Sequence, residues 1–249
     1  MAALLEQLPE ELKILASTIV QDLADSEVYL VGGAVRDLLL GRATKDYDLV
    51  VRGVEAGRLE QWLGTKGTVS LVGKTFGVFK WQPEGWAGEP IDVALPRTEH
   101  VASGTGAYRD FDVQSNPELS IDDDLARRDF TVNALALSLS SGELTDPYDG
   151  RGDLEKKIIR TVGKAQDRFA EDLSRTLRAL RFACQLSFTI EDQTWVALKD
   201  SAERAATGKH HNDFLVPREI VARELLKALL GNPPRALELW DESGFLLHL

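Results

Sequence analysis

The fold class this sequence predicts is an α/β head followed by an all-helical remainder. Two patterns carry that reading. Up to about residue 150, short apolar and β-branched runs alternate with helix-spaced segments; beyond Asp146-Pro147-Tyr148-Asp149-Gly150 strand signals are few and long helix-period stretches follow. The net charge of −11 comes from 29 Lys+Arg against 40 Asp+Glu, and it is uneven. Residues 151–249 hold 16 basic and 15 acidic residues, while 1–150 hold 13 and 25. The expected division is a head over 1–150 and a helical neck with the start of a body over 151–249.

The elements follow in order. Leu12, Leu15, Ile19 and Leu23 recur at helical spacing, which predicts an amphipathic helix over 8–25. Val28 to Val31 is a strand stopped by Gly32-Gly33, and Ala34 to Leu40 a helix stopped by Gly41. Asp46 to Val51 alternates and reads as a strand, with further strands at Thr68 to Val72, Gly77 to Trp81 and Pro90 to Leu95. Residues 97–120 are polar, contain Gly104, Gly106 and Pro117, and read as a long loop. A helix from Asp123 to about Leu135 and a strand at Ala136 to Leu139 complete the head. Helices are expected at 166–185, 191–206 and 217–230, with a last one opened by Pro233-Pro234.

Composition narrows the function classes. A hydrophobic fraction of 43% with 28% charged residues excludes a disordered chain. No stretch approaches the eighteen apolar residues of a membrane span, and acids stand where a secretory leader has its basic region. A single cysteine, Cys184, leaves no intramolecular disulfide and no Cys-based zinc site. The expectation is a cytoplasmic protein with no membrane partner.

Several residue groups could carry chemistry. On a strand, Asp46 and Asp48 point to one face, and two adjacent carboxylates repel unless a cation such as Mg²⁺ neutralises them. Gly32-Gly33 sits between a strand and a helix start, where backbone N–H groups can cradle a phosphate. Read alone, the same pair is a tight turn. A glycine cradle with carboxylates just downstream is what nucleotidyl transfer needs. Asp92, between Ile91 and Val93, is a candidate third carboxylate that would position or deprotonate an attacking hydroxyl; the alternative is an edge-strand acid facing water. Arg127, Arg128 and Asn133 could address phosphate and sugar, or could form a solvated face with pairs such as Asp124–Arg128. Asp172, Arg175 and Arg178 are three apart and offer the acceptors and donors of a base edge, beside a Leu173, Leu177, Leu180 stripe that reads as core.

In series, these segments resemble the class II tRNA nucleotidyltransferase and bacterial poly(A) polymerase family, whose best-known members add CCA. The matching stretches are Val31 to Asp37, Lys45 to Leu49, Arg97 to Glu99, Asp124 to Ala134, Asp146 to Gly150 and Glu171 to Phe182, in the family's order. The resemblance implies a polymerase-β-like palm with a mixed sheet, followed by a helical neck and part of a body. It implies two Mg²⁺ on Asp46 and Asp48, with the triphosphate held by Gly32, Gly33 and Arg36. Arg128 and Asp129 match the ribose-sensing pair, and Asp172 and Arg175 the pair that reads the incoming base. The stretch 97–118 corresponds to the loop implicated in switching from C to A addition. The partners implied are CTP, ATP and the 3′ end of tRNA. One departure is Leu173, where the family usually has proline, and the chain ends where the family's tRNA-gripping tail would follow. Alternatives within this chemistry are poly(A) synthesis and CC- or A-only addition; outside it, a non-catalytic RNA-binding fragment.

Overall fold

The computed structural model describes residues 2–71, 78–101, 104–108 and 111–248. These group into two compact units. The first comprises Met1–Glu99, Val113–Arg128 and Val132–Arg151; the second comprises His100–Asp112, Asp129–Thr131 and Gly152–Leu249. The second unit is therefore not one continuous segment, because two short stretches from before residue 150 belong to it.

The first unit opens with α1 (Ala2–Leu5) and α2 (Glu10–Asp22). Strands β1 (Glu27–Val31) and β2 (Asp48–Arg52) follow, separated by α3 (Gly33–Leu39). After α4 (Ala56–Lys66) come β3 (Gly67–Leu71), β4 (Val78–Pro83) and β5 (Ile91–Ala94). Next in the chain are β6 (Arg97–Val101) and β7 (Phe111–Ser115), whose residues 100–101 and 111–112 are counted in the second unit, and then α5 (Ile121–Ala126). Then β8 (Ala136–Ser138) and β9 (Leu144–Thr145) join a seven-stranded sheet in the order β3-β4-β5-β2-β1-β8-β9, while β6 and β7 form a separate ribbon. The large sheet is mixed: β2 and β5 run parallel, and its other recorded neighbours are antiparallel.

Alternation explains which face is core. Phe79, Trp81, Ile91 and Val93 are buried, while Lys80 and Asp92 between them are not. α2 packs on β1 through Leu12, Ala16 and Ile19, and α4 packs on β3 and β4 through Leu59 and Leu63. The Trp81 indole N–H donates to the Leu63 carbonyl at 3.1 Å, so this fully buried ring keeps its polar atom satisfied.

The second unit is built on α7 (Ala165–Glu171), α8 (Ser174–Leu186), α9 (Asp192–Thr207), α10 (Arg218–Gly231) and α11 (Pro233–Glu242), preceded by α6 (Gly150–Lys156). Two-residue pairs, β10 (Ile158–Ile159) with β11 (Thr189–Ile190) and β12 (Lys209–His210) with β13 (Asp213–Phe214), tie its connections. α8 is its centre: Leu177, Leu180 and the preceding Leu173 are 0–1% exposed, so that stripe is core. Among the described residues no helix is long and apolar enough to cross a membrane.

The structure corrects four sequence expectations. The polar stretch 97–120 contains β6 and β7. A two-stranded ribbon has little core to fill, so apolar alternation does not announce it. The helix expected over 123–135 ends at Ala126, and Thr131–Asn133 is a 3₁₀ turn. Backbone bonds pull the chain out of helix: Val162 N–H donates to Asp129 at 3.1 Å and Thr131 N–H to Arg160 at 2.9 Å, making the Phe130–Thr161 bridge. The helix expected over 166–185 breaks at Asp172, which is extended (φ −150°, ψ 105°). Asp46 lies before β2, outside the strand on which it was expected to pair with Asp48. Val72 and Gly77 of the expected strands lie outside the described residues, as do positions 102–103 and 109–110 of the expected loop.

Candidate functional site

In the first unit, register does the positioning. Asp48 stands opposite Asp92 across the parallel β2–β5 pair, and Asp92 stands opposite Lys80 across β4–β5. Cross-strand neighbours share a face, so the two carboxylates and the ammonium form one row. Lys80 Nζ is 3.8 Å from Asp92 Oδ1, which is itself buried and has no hydrogen bond among the described residues. The pKa of Asp48 is raised: the surrounding protein desolvates its carboxylate, and the negative charges of Asp92 and Asp46 add to this, against the pull of Arg128 and Lys80. Asp46 is therefore electrostatically part of the group although it is off the strand.

Gly32 lies at the head of α3 with φ +70° and ψ −133°, a conformation essentially confined to glycine. A Cβ there would stand 2.7 Å from Arg128 Nη1 and 3.8 Å from Asp48 Oδ2. The absent side chain thus makes room for a guanidinium beside the carboxylate. The Gly32 N–H donates to the Leu135 carbonyl at 3.0 Å, so this amide serves the fold and not a phosphate. Beside it, a Cβ at Gly33 would lie 3.5 Å from Arg36 Nη2. Cationic side chains, more than backbone amides, are what this turn could offer an anion.

Both arginines are held in place. Arg36 grips Asp37 through Nε and Nη2, each at 2.9 Å, and donates from Nη1 to Asn133 Oδ1 at 2.8 Å. Arg128 Nη2 donates to Asp124 Oδ2 at 3.0 Å, while its buried Nε has no hydrogen-bond partner among the described residues. Asp124 is 0% exposed and also takes Arg127 at 2.7 Å. Burial would raise the Asp124 pKa, but Arg127 and Arg128 outweigh it and hold the carboxyl below its ordinary range. Asp124, set three and four residues before its partners, is a positioning residue that the sequence reading treated only as a helix pair.

In the second unit, Asp129 accepts its own neighbour's N–H, from Phe130 at 2.9 Å, and Arg178 Nε at 2.7 Å. Asp172 is not on the face of α8. It precedes the helix, and its Oδ1 accepts the Ser174 N–H at 2.8 Å. That bond fixes the carboxyl orientation. Burial raises the Asp172 pKa, opposed by the Ser174 bonds and by Arg175 and Arg178. Arg175, the second residue of α8, donates to Glu171 Oε2 at 2.6 Å. Asp129, Asp172, Arg175 and Arg178 thus share one electrostatic neighbourhood. The chain passes from the first unit to the second between Arg128 and Asp129.

A family model described as the poly A polymerase head domain matches residues 28–160. This chain belongs to that family. Among its relatives, the Multifunctional CCA protein of Xanthomonas oryzae is 44% identical over 223 residues, 88% of this chain and 49% of that protein. The structure of the Bacillus stearothermophilus CCA-adding enzyme in complex with CTP matches with a TM-score of 0.76 at 31% identity, covering 95% of this chain and 52% of its own. The Thermotoga maritima CCA-adding enzyme complexed with tRNA matches with a TM-score of 0.75 at 28% identity, over 99% of this chain and 54% of its own. The chain spans about half the length of these relatives. Its mixed seven-stranded sheet is the polymerase-β-like palm of the family, and a helical portion follows it.

Carboxylate oxygens of Asp46, Asp48 and Asp92 are the hard donors that Mg²⁺ prefers. The buried Asp92 Oδ1, without a hydrogen bond among the described residues, and the desolvated Asp48 carboxylate, whose raised pKa the charges of Asp92 and Asp46 push further, fit a cation there. Among the described residues no three His, Cys, Asp or Glu side chains form a ready-made cage. Mg²⁺ is commonly held by one or two carboxylates with substrate phosphates and water, so a partial donor set suits it.

Proposed function

We propose that this chain catalyses template-independent addition of C and/or A to tRNA 3′ ends from CTP and ATP. The observation that carries this is the Asp48–Asp92 row with the Arg128 guanidinium set over the side-chain-free Gly32. Acceptors for metal and proton thus stand beside donors for phosphate. The relatives that bind CTP and tRNA support the substrate class.

On this reading, residues 1–150 are the catalytic head and 151–249 the neck with the start of a body. Asp46 and Asp48 would hold two Mg²⁺, which when bound stabilise the attacking and leaving oxygens of an in-line displacement. Arg36 and Arg128, with room left by Gly32 and Gly33, bind the triphosphate, and Asn133 orients Arg36. Asp92 positions the RNA 3′-hydroxyl and takes up its proton as that oxygen attacks the α-phosphorus; pyrophosphate leaves. Arg128 and Asp129 sense the ribose, with Arg178 fixing the Asp129 carboxylate. Asp172 accepts from the exocyclic amine of C or A, and Arg175 donates to the ring nitrogen beside it. Such a protein works in the cytoplasm, where tRNA ends are repaired and Cys184 stays a thiol.

The test uses the purified chain, Mg²⁺ and three tRNA transcripts ending before CCA, after C and after CC. Each receives labelled CTP or ATP, and products are sized on a gel. Ordered addition of C, C and A that then stops is expected. A ladder of A would make it a poly(A) polymerase, and addition limited to C or to A a partial-function member. No incorporation by a chain that still binds RNA would overturn the enzymatic reading.

A further inference from the structure

The second unit carries a surface that the proposed chemistry does not use. β12 and β13 form a two-rung ribbon in which Lys209 faces Phe214 and His210 faces Asp213. Its base is anchored: Leu215 N–H donates to Gly208 at 2.8 Å, Tyr108 N–H donates to Leu215 at 2.7 Å, and Leu215 and Val216 are buried. Its outer part is exposed. Lys209, His210 and His211 all face solvent, and the two imidazole rings lie 4.2 Å apart between centroids.

The cations are the informative part. Lys209 Nζ lies 4.6 Å from the centre of the Phe214 ring, and the Arg218 guanidinium carbon lies 4.2 Å from the same centre. Among the described residues neither has an ion-pair partner, and neither neighbouring acid, Asp213 or Glu219, makes an ion pair. Two like charges are thus held on one half-buried ring within a chain of net charge −11. The ring's negative face offsets part of their repulsion, and an anion placed between them would offset the rest. Exposed flat rings beside unpaired cations match a polynucleotide strand better than a single anion, because bases stack on rings while phosphates meet the charges.

We infer that the β12–β13 ribbon, with Lys209, His210, His211, Phe214 and Arg218, is an RNA-binding surface contacting backbone phosphates. This deepens the proposed function, since it rests on RNA being the substrate. The surface acts through affinity and is independent of nucleotide selection.

The test is fluorescence anisotropy of a labelled tRNA transcript ending before CCA, titrated with the whole chain over a range of salt. The double variant K209Q/R218Q keeps most of each stem and removes both charges. It is expected to bind about tenfold more weakly, with the slope of log affinity on log salt smaller by about 1.5, as loss of two phosphate contacts requires. H210A/H211A is expected to weaken binding with little change of slope, as loss of stacking does. K199Q, an exposed lysine on α9, serves as the control and should leave both unchanged. Unchanged affinity and slope in K209Q/R218Q, or no RNA binding by the unaltered chain, overturns the inference. CTP incorporation measured on the same preparations separates the two readings. Incorporation with ribbon-independent affinity overturns only the surface, whereas ribbon-dependent affinity without incorporation overturns only the enzyme.

Discussion

Asp48 shows how one residue can be costly to the fold and necessary to the reaction. Its folded pKa lies above the ordinary 3.8, so its contribution to stability is fully present below that value and is lost as pH rises through the raised one. At neutral pH the ionised carboxylate strains the unliganded protein. Asp48→Asn is therefore expected to raise the melting temperature by about 2–4 °C while cutting incorporation on the order of a thousandfold. A thermal melt and the gel assay on one preparation check both halves, and an unchanged rate would remove Asp48 from the machinery. In the Mg²⁺-free protein the Asp48 carboxyl should titrate above the usual Asp range. Asp124 has the opposite sign. Its folded pKa is depressed, so its stabilisation is present above the unfolded value and fades as pH falls through the folded one. Asp124→Ala leaves Arg127 and Arg128 without their buried acceptor and is expected to cost about 3 kcal/mol in urea unfolding at pH 7. That loss should shrink in acid.

At the scale of elements, short connections place the chemistry. α5 is six residues long, too short to persist by propensity, and it begins with a capping box: Asp123 N–H donates to Ser120 Oγ at 3.2 Å, while Asp123 Oδ2 accepts Ser120 N–H at 3.1 Å. That cap sets where α5 starts and so where Asp124 and Arg128 fall. Ser120→Ala is expected to cost about 1 kcal/mol, measured by urea unfolding. It should also reduce incorporation, because Arg128 stands just beyond the far end of α5 and is held by Asp124 within it. Asp172 plays the comparable part before α8, where its bond to Ser174 ends one helix and opens the next. The spacing of Asp172, Arg175 and Arg178 is legible in the sequence, but the break at Asp172 is not. Helical periodicity continues across it, and only the extended backbone at that residue reveals a cap where a helix face was expected.

For the whole molecule, charge is the controlling quantity. A chain of net charge −11 repels a polyanion at long range, so RNA affinity must come from local concentrations of cation. The near-neutral residues 151–249 are where such concentrations stand free of the acidic excess. Affinity for a tRNA transcript is expected to fall at least about tenfold between about 50 and about 200 mM salt, with a linear log–log dependence. Anisotropy titrations check this, and salt-independent binding would show that phosphate contacts do not hold the RNA.

The sequence by itself determined the class of this protein. The glycine pair, the Asp46/Asp48 motif and the ordered series to Phe182 identify the family, and apolar periodicity separates an α/β head from a helical remainder, because both signals are local. Tertiary structure decided what depends on partners distant in the chain. Asp92 became a neighbour of Asp48 only through the parallel pairing of β2 with β5. Gly32 gained its meaning from Arg128, nearly a hundred residues away, whose guanidinium occupies the space a side chain would fill. The end of α5 escapes a sequence reading for the same reason. The backbone hydrogen bonds just beyond it go to remote residues, and a remote hydrogen bond leaves no periodic mark on the residues that make it.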